Sequence, residues 1–376
     1  MDKLTILLII LNLLLISLVF LTRSKKSINR IFLVLTSVLV TLSIIEIVYR
    51  LFFEKETFYA GEFYKHFYES DNTLGYKMKG AGKFDALKMN KKGDTVFHTY
   101  YSIIEDTGRT ATSFPHRVAY HSVKDSNELI FLGCSFTFGE GLTDQQSLAY
   151  LTGEQNDLNA VNLGCTGYGL HQVYQLYLNK YLNADNRNRT FIYSFLYDHI
   201  LRANGIYEWN QQGPYFVIKG DSIVNMGSLA NQRNLSSNKF IHYMSLFGSL
   251  RFLKKITTHL AQKNRLNSLT TEKYENTLKL LSQMARLIEN SGGQLIVLDW
   301  DINNWANVEM SNLPYQLIEN NLDQIKSPAV RIIRISSLTN IHDASNFIPG
   351  DGHPSAWMNY KISNHLGTVL RARNNN

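Results

Sequence analysis

The sequence predicts an α/β protein: a three-layer domain on a parallel five-stranded sheet, preceded by two transmembrane helices and a small β-rich extension. Three observations carry this. Two long apolar runs open the chain, short apolar strands alternate with amphipathic helices from Glu128 onward, and polar glycine-bearing loops follow the strand tips. At 376 residues, 44% hydrophobic and 18% charged, the chain can bury a large core and has no disordered character.

Leu4 to Thr22 is almost unbroken Leu, Ile, Val and Phe, and Ile31 to Phe53 is a second such run. Each is long enough to cross ~30 Å of hydrocarbon as a helix. The first run is too long for the apolar part of a signal peptide, and no small-x-small cleavage pattern follows it. Residues 1–53 are therefore expected to form a transmembrane hairpin, with helices over about 4–22 and 31–53. Arg23, Lys25, Lys26 and Arg30 fill the connection, while Asp2-Lys3 and Glu54-Lys55-Glu56 are nearly balanced in charge. The positive-inside rule places that connection in the cytoplasm and everything after Phe53 outside. Glu46 within the second run is expected to neutralise itself against Arg50, four residues on.

Residues 54–127 read as a β-rich extracytoplasmic extension. Phe58-Tyr59, Phe63-Tyr64 and Phe67-Tyr68 suit either a headgroup layer or the core of an accessory lobe, and Thr95 to Ile104 has the β-branched and aromatic content of a strand. Residues 128–376 carry the α/β alternation. Leu129 to Leu132 is the first strand, Ala160 to Leu163 the second, Thr190 to Leu196 the third, Gln294 to Asp299 the fourth and Val330 to Ile335 the fifth. Helices are expected over about Leu170–Leu182, Thr271–Asn290 and Ser355–Arg373. An insertion at about 203–266 breaks the rhythm, with a hairpin turning at Lys219-Gly220-Asp221 and a helix from about Phe240 to His259. The order expected of such a sheet is flavodoxin-like, so the loops after the first and fifth strands open on one edge.

The net charge of +7 is not gathered into a block that would suit nucleic acid, and no cofactor motif is present. Only Cys134 and Cys165 occur, without CxxC spacing or a paired His cluster, so no metal site is expected. Both cysteines end neighbouring strands in a compartment that permits disulfides, which makes a Cys134–Cys165 bond a hypothesis.

The chemistry concentrates on the strand tips. Ser135 follows the first strand in Gly133-Cys134-Ser135-Phe136-Thr137-Phe138-Gly139. Serine attacks carbonyls only when a base takes its proton, and that base is usually a His held by a carboxylate. Asp351-Gly352-His353-Pro354, after the fifth strand, offers both; His342-Asp343 competes from the same loop without the glycine framing. Donors for a developing oxyanion are expected at Ser135 and at Gly167, in the glycine-rich loop Gly164 to Gly169. Asp198 reads equally as the N-cap of a short helix.

From Glu128 to about Arg373 these residues resemble the SGNH hydrolases, also called GDSL esterases or lipases. The resemblance rests on Gly133-Cys134-Ser135 with Phe136 to Gly139, on Asn162 to Gly167, on Phe195-Leu196-Tyr197-Asp198 and on Asp351-Gly352-His353-Pro354, in that order. It implies Ser135 as nucleophile, His353 as base, Asp351 as its orienter, and the amides of Ser135 and Gly167 as oxyanion donors. Two positions depart from the pattern. Cys134 replaces an Asp at the pocket, and Tyr197 stands where an oxyanion Asn is expected beside Asp198, so its hydroxyl is the candidate third donor. The G-x-S-x-G elbow of the α/β-hydrolases does not fit, since Thr137 occupies the second glycine.

The expected function is thus a membrane-anchored extracytoplasmic serine esterase or O-acyltransferase acting on acyl or acetyl esters of envelope glycans or lipids, without cofactor. The alternative is an inactive protein of the same fold that binds glycan or scaffolds a complex.

Overall fold

The computed structural model describes residues 3–22, 26–52, 57–61, 63–105, 114–123, 127–220, 222–232, 251–301, 315–325 and 327–374. It divides into two compact units, Met1–Glu56 with Asn234–Lys263, and Thr57–Arg233 with Asn264–Asn376.

The first unit contains helices Lys3–Leu21 and Lys26–Phe52 and the start of helix Arg251–Asn267. The two N-terminal helices pack together, and Asn12 Nδ2 donates to Ser43 Oγ at 2.9 Å, as polar side chains on apolar helices require. One segment among the described residues, Lys26–Tyr49, is long and apolar enough to cross a membrane, with Ile31 and Val34 60% and 61% exposed. The first expected span, 4–22, is a helix here too, Lys3–Leu21, but its apolar described part, Ile10–Leu21, is shorter. Glu46 is buried and accepts the N–H of Phe252 at 3.1 Å; the side chain of Arg50, its expected partner, lies outside the described residues. Arg23, Lys25 and the expected helix up to residue 250 lie outside them as well.

The second unit is built on one large sheet. Its strands are β1 (Thr57–Tyr59), β4 (Gly82–Asn90), β5 (Thr95–Glu105), β6 (Pro115–Arg117), β7 (Glu128–Leu132), β8 (Asn159–Asn162), β9 (Arg189–Phe195), β12 (Gln294–Asp299) and β13 (Val330–Arg334). Two hairpins stand apart from it, β2 (Tyr68–Asp71) with β3 (Gly75–Met78), and β10 (Pro214–Lys219) with β11 (Ser222–Ser228). The order β8-β7-β9-β12-β13 is the expected parallel five. The sheet does not end there. It runs to nine strands, because β6 pairs antiparallel with β8 through Arg117 and Asn162, and β5, β4 and β1 follow antiparallel. The expected five-stranded sheet is therefore corrected to nine strands. The edge of β8, which would otherwise expose unpaired backbone groups, is covered by the segment expected as a separate extension.

Side-chain alternation along the strands separates two cores. On β7, Ile130 and Leu132 join one cluster while Leu129 and Phe131 join the other; on β12, Leu295 and Val297 divide from Ile296 and Leu298 in the same way. The first face is covered by helices Leu170–Tyr181 and Thr271–Asn290. The second is covered by Leu148–Asn156 and Ala356–Asn374, the latter through Met358, Ile362 and Leu366 one turn apart. The result is a three-layer arrangement that leaves the tips of β7 and β8 open to the loop following β13. Of the early aromatics, Phe63 and Phe67 are buried and stacked at 4.9 Å, so they serve the core.

Candidate active site

Where β7 ends, Gly133 has φ 145°, and a Cβ there would lie 2.3 Å from Thr137 Oγ1, so only glycine permits the turn. Thr137 Oγ1 donates to Leu132 O at 3.0 Å and fastens it. Ser135 then opens the one-turn helix Ser135–Phe138, and its N–H lacks an intrahelical acceptor because of that position. Asn162, at the end of β8, donates to Thr137 O and Phe138 O at 3.1 and 3.3 Å and accepts from Gly164 N–H at 3.1 Å. The loops after β7 and β8 are thereby locked to each other.

The second loop is equally constrained. Asp351 and Gly352 donate their N–H groups to Ile348 O at 3.1 and 2.9 Å, Ile348 N–H donates to His353 O at 2.8 Å, and Gly350 and Gly352 take positive φ. This turn brings His353 Nε2 to 2.8 Å from Ser135 Oγ, and His353 Nδ1 to 2.5 Å from Asp351 Oδ2. With Nδ1–H donated to the carboxylate, Nε2 is left to accept the serine proton. The Phe136 ring meets the imidazole edge to face, with 5.6 Å between centroids. His342 and Asp343 are exposed, and Asp343 caps the turn at Ser345, so the competing pair plays no part.

Two charged residues complete the group, and neither was foreseen. Lys88 on β4 pairs with Asp351 Oδ1. Glu140, just past the nucleophile helix, places Oε2 3.7 Å from His353 Nε2 and 3.2 Å from Thr166 Oγ1, while its Oε1 accepts from Tyr59 OH at 2.6 Å. Its N–H donates to Ser135 O at 3.1 Å. Glu140, Asp351 and His353 bring ligand atoms within 4.8 Å of one another, a spacing that would also admit a cation, although Lys88 already supplies a positive charge at Asp351. No sequence spacing signals residues 59 and 88 as neighbours of Ser135, and only the sheet pairing does; residue 140 is near in sequence, but nothing there signals that its carboxylate turns toward His353.

The charges set the protonation states. Burial raises the Asp351 carboxyl, but hydrogen bonds and charges from His353 and Lys88 outweigh it and hold it down at about 2. Burial lowers the His353 imidazole, yet Glu140 first and then Asp351 outweigh burial and the opposing Lys88, leaving it above its ordinary value.

The remaining expected residues divide. Gly167 takes φ 85°, and its carbonyl accepts from Asn210 Nδ2 at 3.1 Å and Trp209 Nε1 at 3.4 Å; a Cβ would lie 2.6 Å from Tyr76 OH. The chain can pass there only without a side chain. Tyr197 is buried, and its hydroxyl donates to Tyr274 OH at 3.4 Å inside the core. Asp198 is held by Arg202 Nε at 2.6 Å and Tyr207 OH at 2.5 Å as a structural ion pair. Cys134 is fully buried, with Sγ 4.0 Å from Ser135 Oγ. Both cysteines are free thiols, which overturns the disulfide: Cys134 packs into the cluster on one face of the sheet and Cys165 into the other.

No family model and no curated protein matches the chain. Solved structures similar to it include a G-D-S-L lipolytic protein of Veillonella parvula, at 15% identity over 66% of this chain and 100% of that one, with a TM-score of 0.37. An acetyl xylan esterase of Butyrivibrio proteoclasticus matches at 12% identity, covering 69% and 67% of the two chains with a TM-score of 0.33. A family two carbohydrate esterase of Clostridium thermocellum, solved with cellohexaose, matches at 9% identity over 69% and 70%, with a TM-score of 0.35.

Proposed function

We propose that this chain is a membrane-anchored SGNH-type serine esterase or O-acyltransferase. The observation that supports this reading most is the unbroken line Ser135 Oγ, His353 Nε2, His353 Nδ1, Asp351 Oδ2, with contacts of 2.8 and 2.5 Å. As Ser135 Oγ attacks the ester carbonyl carbon, its proton passes to His353 Nε2, and the carbonyl electron pair moves onto oxygen beside the N–H groups of Ser135 and Gly167. The carbonyl re-forms, the ester C–O bond breaks, and the imidazolium returns its proton to the leaving alkoxide. Water or a glycan hydroxyl then releases the acyl group from Ser135 by the same steps, giving hydrolysis or transfer. Trp209, 51% exposed, stacked on Tyr207 and bonded to Gly167, offers a flat apolar surface beside this point, which suits the face of a sugar ring.

A fluorophosphonate probe should label the full chain in detergent micelles and leave Ser135→Ala unlabelled. Failure of several such probes to label the wild type would instead favour the non-catalytic, glycan-binding reading.

The anchoring part of the proposal takes the runs at 4–22 and 31–53 as two spans with their basic connection in the cytoplasm. A reporter fused after Arg373 is then expected to be active only outside the cytoplasm. A cytoplasmic signal would remove this part alone.

A further inference from the structure

We infer that Glu140 is a second counter-ion of His353, a positioning residue that stabilises the imidazolium from the nitrogen that receives the serine proton. This rests on the acyl-transfer reading above and extends it. In a Ser-His-Asp site one carboxylate balances the charge that develops on the imidazole, from the Nδ1 side. Here that carboxylate is shared. Asp351 gives Oδ2 to His353 and Oδ1 to the ammonium of Lys88, and both its side chain and that of Lys88 are shielded from water, at 0% and 14% exposure. Part of the Asp351 field at the ring is cancelled by the cation behind it.

Glu140 restores the balance from the opposite edge. Its Oε2 lies 3.7 Å from Nε2, and its side chain is 5% exposed, so solvent screens the contact little. Tyr59 OH on Oε1 and Thr166 Oγ1 on Oε2 hold the carboxylate in place, while its own N–H bonded to Ser135 O ties it to the nucleophile turn. Lys88, Asp351, His353 and Glu140 thus alternate in sign once the proton has moved to Nε2. Among the described residues, the charges that act most on His353 come from Glu140 in the loop after the nucleophile helix, Asp351 in its own turn and Lys88 on β4. The same carboxylate holds a proton on the resting imidazole, so the site works best on the neutral-to-alkaline side of the His353 titration.

The test uses the full chain in detergent micelles with histidine labelled at Cε1, the His353 resonance being assigned by its loss in His353→Gln. In Glu140→Gln the His353 midpoint is expected to move to lower pH. The acid limb of the fluorophosphonate labelling rate should move with it, and the plateau rate should fall on the order of tenfold. Glu140→Asp, which keeps the charge but withdraws it by one methylene, should fall between the two, and it decides the matter if Glu140→Gln does not fold. A His353 midpoint equal to wild type in the folded variant overturns the inference, as does a lowered labelling rate with an unmoved limb, the mark of a merely structural role. If the wild type is never labelled, the acyl-transfer reading fails, and the resonance midpoint still decides whether Glu140 acts on His353.

Discussion

Asp351→Asn is expected to lower ester turnover by about 10⁴, the loss that follows when the catalytic imidazole is held in the wrong tautomer. Asp351 Oδ2 accepts the Nδ1 proton of His353, which leaves Nε2 free to accept from Ser135. An Asn amide can donate to Nδ1 instead, putting the ring proton on Nε2, where it can no longer take the serine proton. The substitution also strips Lys88 of its partner in a site where its side chain is 14% exposed, so the melting temperature should fall as well. A pH signature accompanies this. Asp351 titrates at about 2 in the folded chain, below the roughly 3.9 of a free Asp, so its contribution to stability is complete above the free value and disappears as pH falls toward the folded one. Melting curves between pH 5 and pH 2 should therefore drop less steeply for Asp351→Asn than for wild type. Hydrolysis of a p-nitrophenyl ester provides the rate, and a variant within tenfold of wild type would show that Asp351 does not orient His353.

Legibility of this site in the sequence followed the reach of each interaction. Strands β7, β9 and β12 are buried on both faces, so they appear as continuous apolar runs, and the residues at their tips can be read with them. Ser135, Asp351 and His353 carry chemistry in their types and glycine framing in their neighbours, so their meeting at 2.8 and 2.5 Å was foreseeable. The strand expected over Thr95–Ile104 appears as β5, but the joining of the antiparallel half to the parallel sheet was not foreseeable. β4 reads Gly-Lys-Phe-Asp-Ala-Leu-Lys-Met-Asn, with a mixed burial pattern, and β6 is three residues that pair with β8 at one position. Its attachment to the parallel strands depends on Arg117, a residue that composition assigns to the surface. Lys88 and Tyr59 come to the site by that attachment, while Glu140 arrives with the nucleophile turn itself. Tyr197 shows a different limit: residue type shows that a hydroxyl can donate, but only packing against helix Thr271–Asn290 brings it to Tyr274.

Arg117→Met is expected to destabilise the second unit by about 3–5 kcal/mol, since it removes one partner of a buried ionic network. Arg117 is 0% exposed, and its Cζ lies 4.7 Å from the ring centroids of both Tyr101 and Phe138, which themselves meet edge to face at 4.8 Å. Its Nε donates to Asp144 Oδ1 at 2.8 Å, Nη1 to Phe138 O and Gly139 O at 2.7 Å each, and Nη2 to Leu142 O at 2.6 Å. One planar fork thus satisfies the carbonyls at the end of the nucleophile helix and through the loop that carries Glu140. Methionine fills most of the space but takes the guanidinium donors from three carbonyls and a carboxylate, of which Phe138 O, Gly139 O and Asp144 Oδ1 keep only the longer bonds from Asn162 Nδ2, Leu142 N–H and Ser102 N–H at 3.2–3.3 Å. Scanning fluorimetry of the full chain in detergent should show a melting point lower by about 10 °C, given a few degrees per kcal/mol for a domain of this size. Arg117→Lys separates charge from geometry. A single ammonium keeps the charge opposite Asp144 but cannot span three carbonyls, so it should recover only a minor part of the loss. Recovery to wild-type stability in Arg117→Lys would mean that charge alone holds the loop, and that the guanidinium fork does not shape the turn on which Ser135 and Glu140 sit.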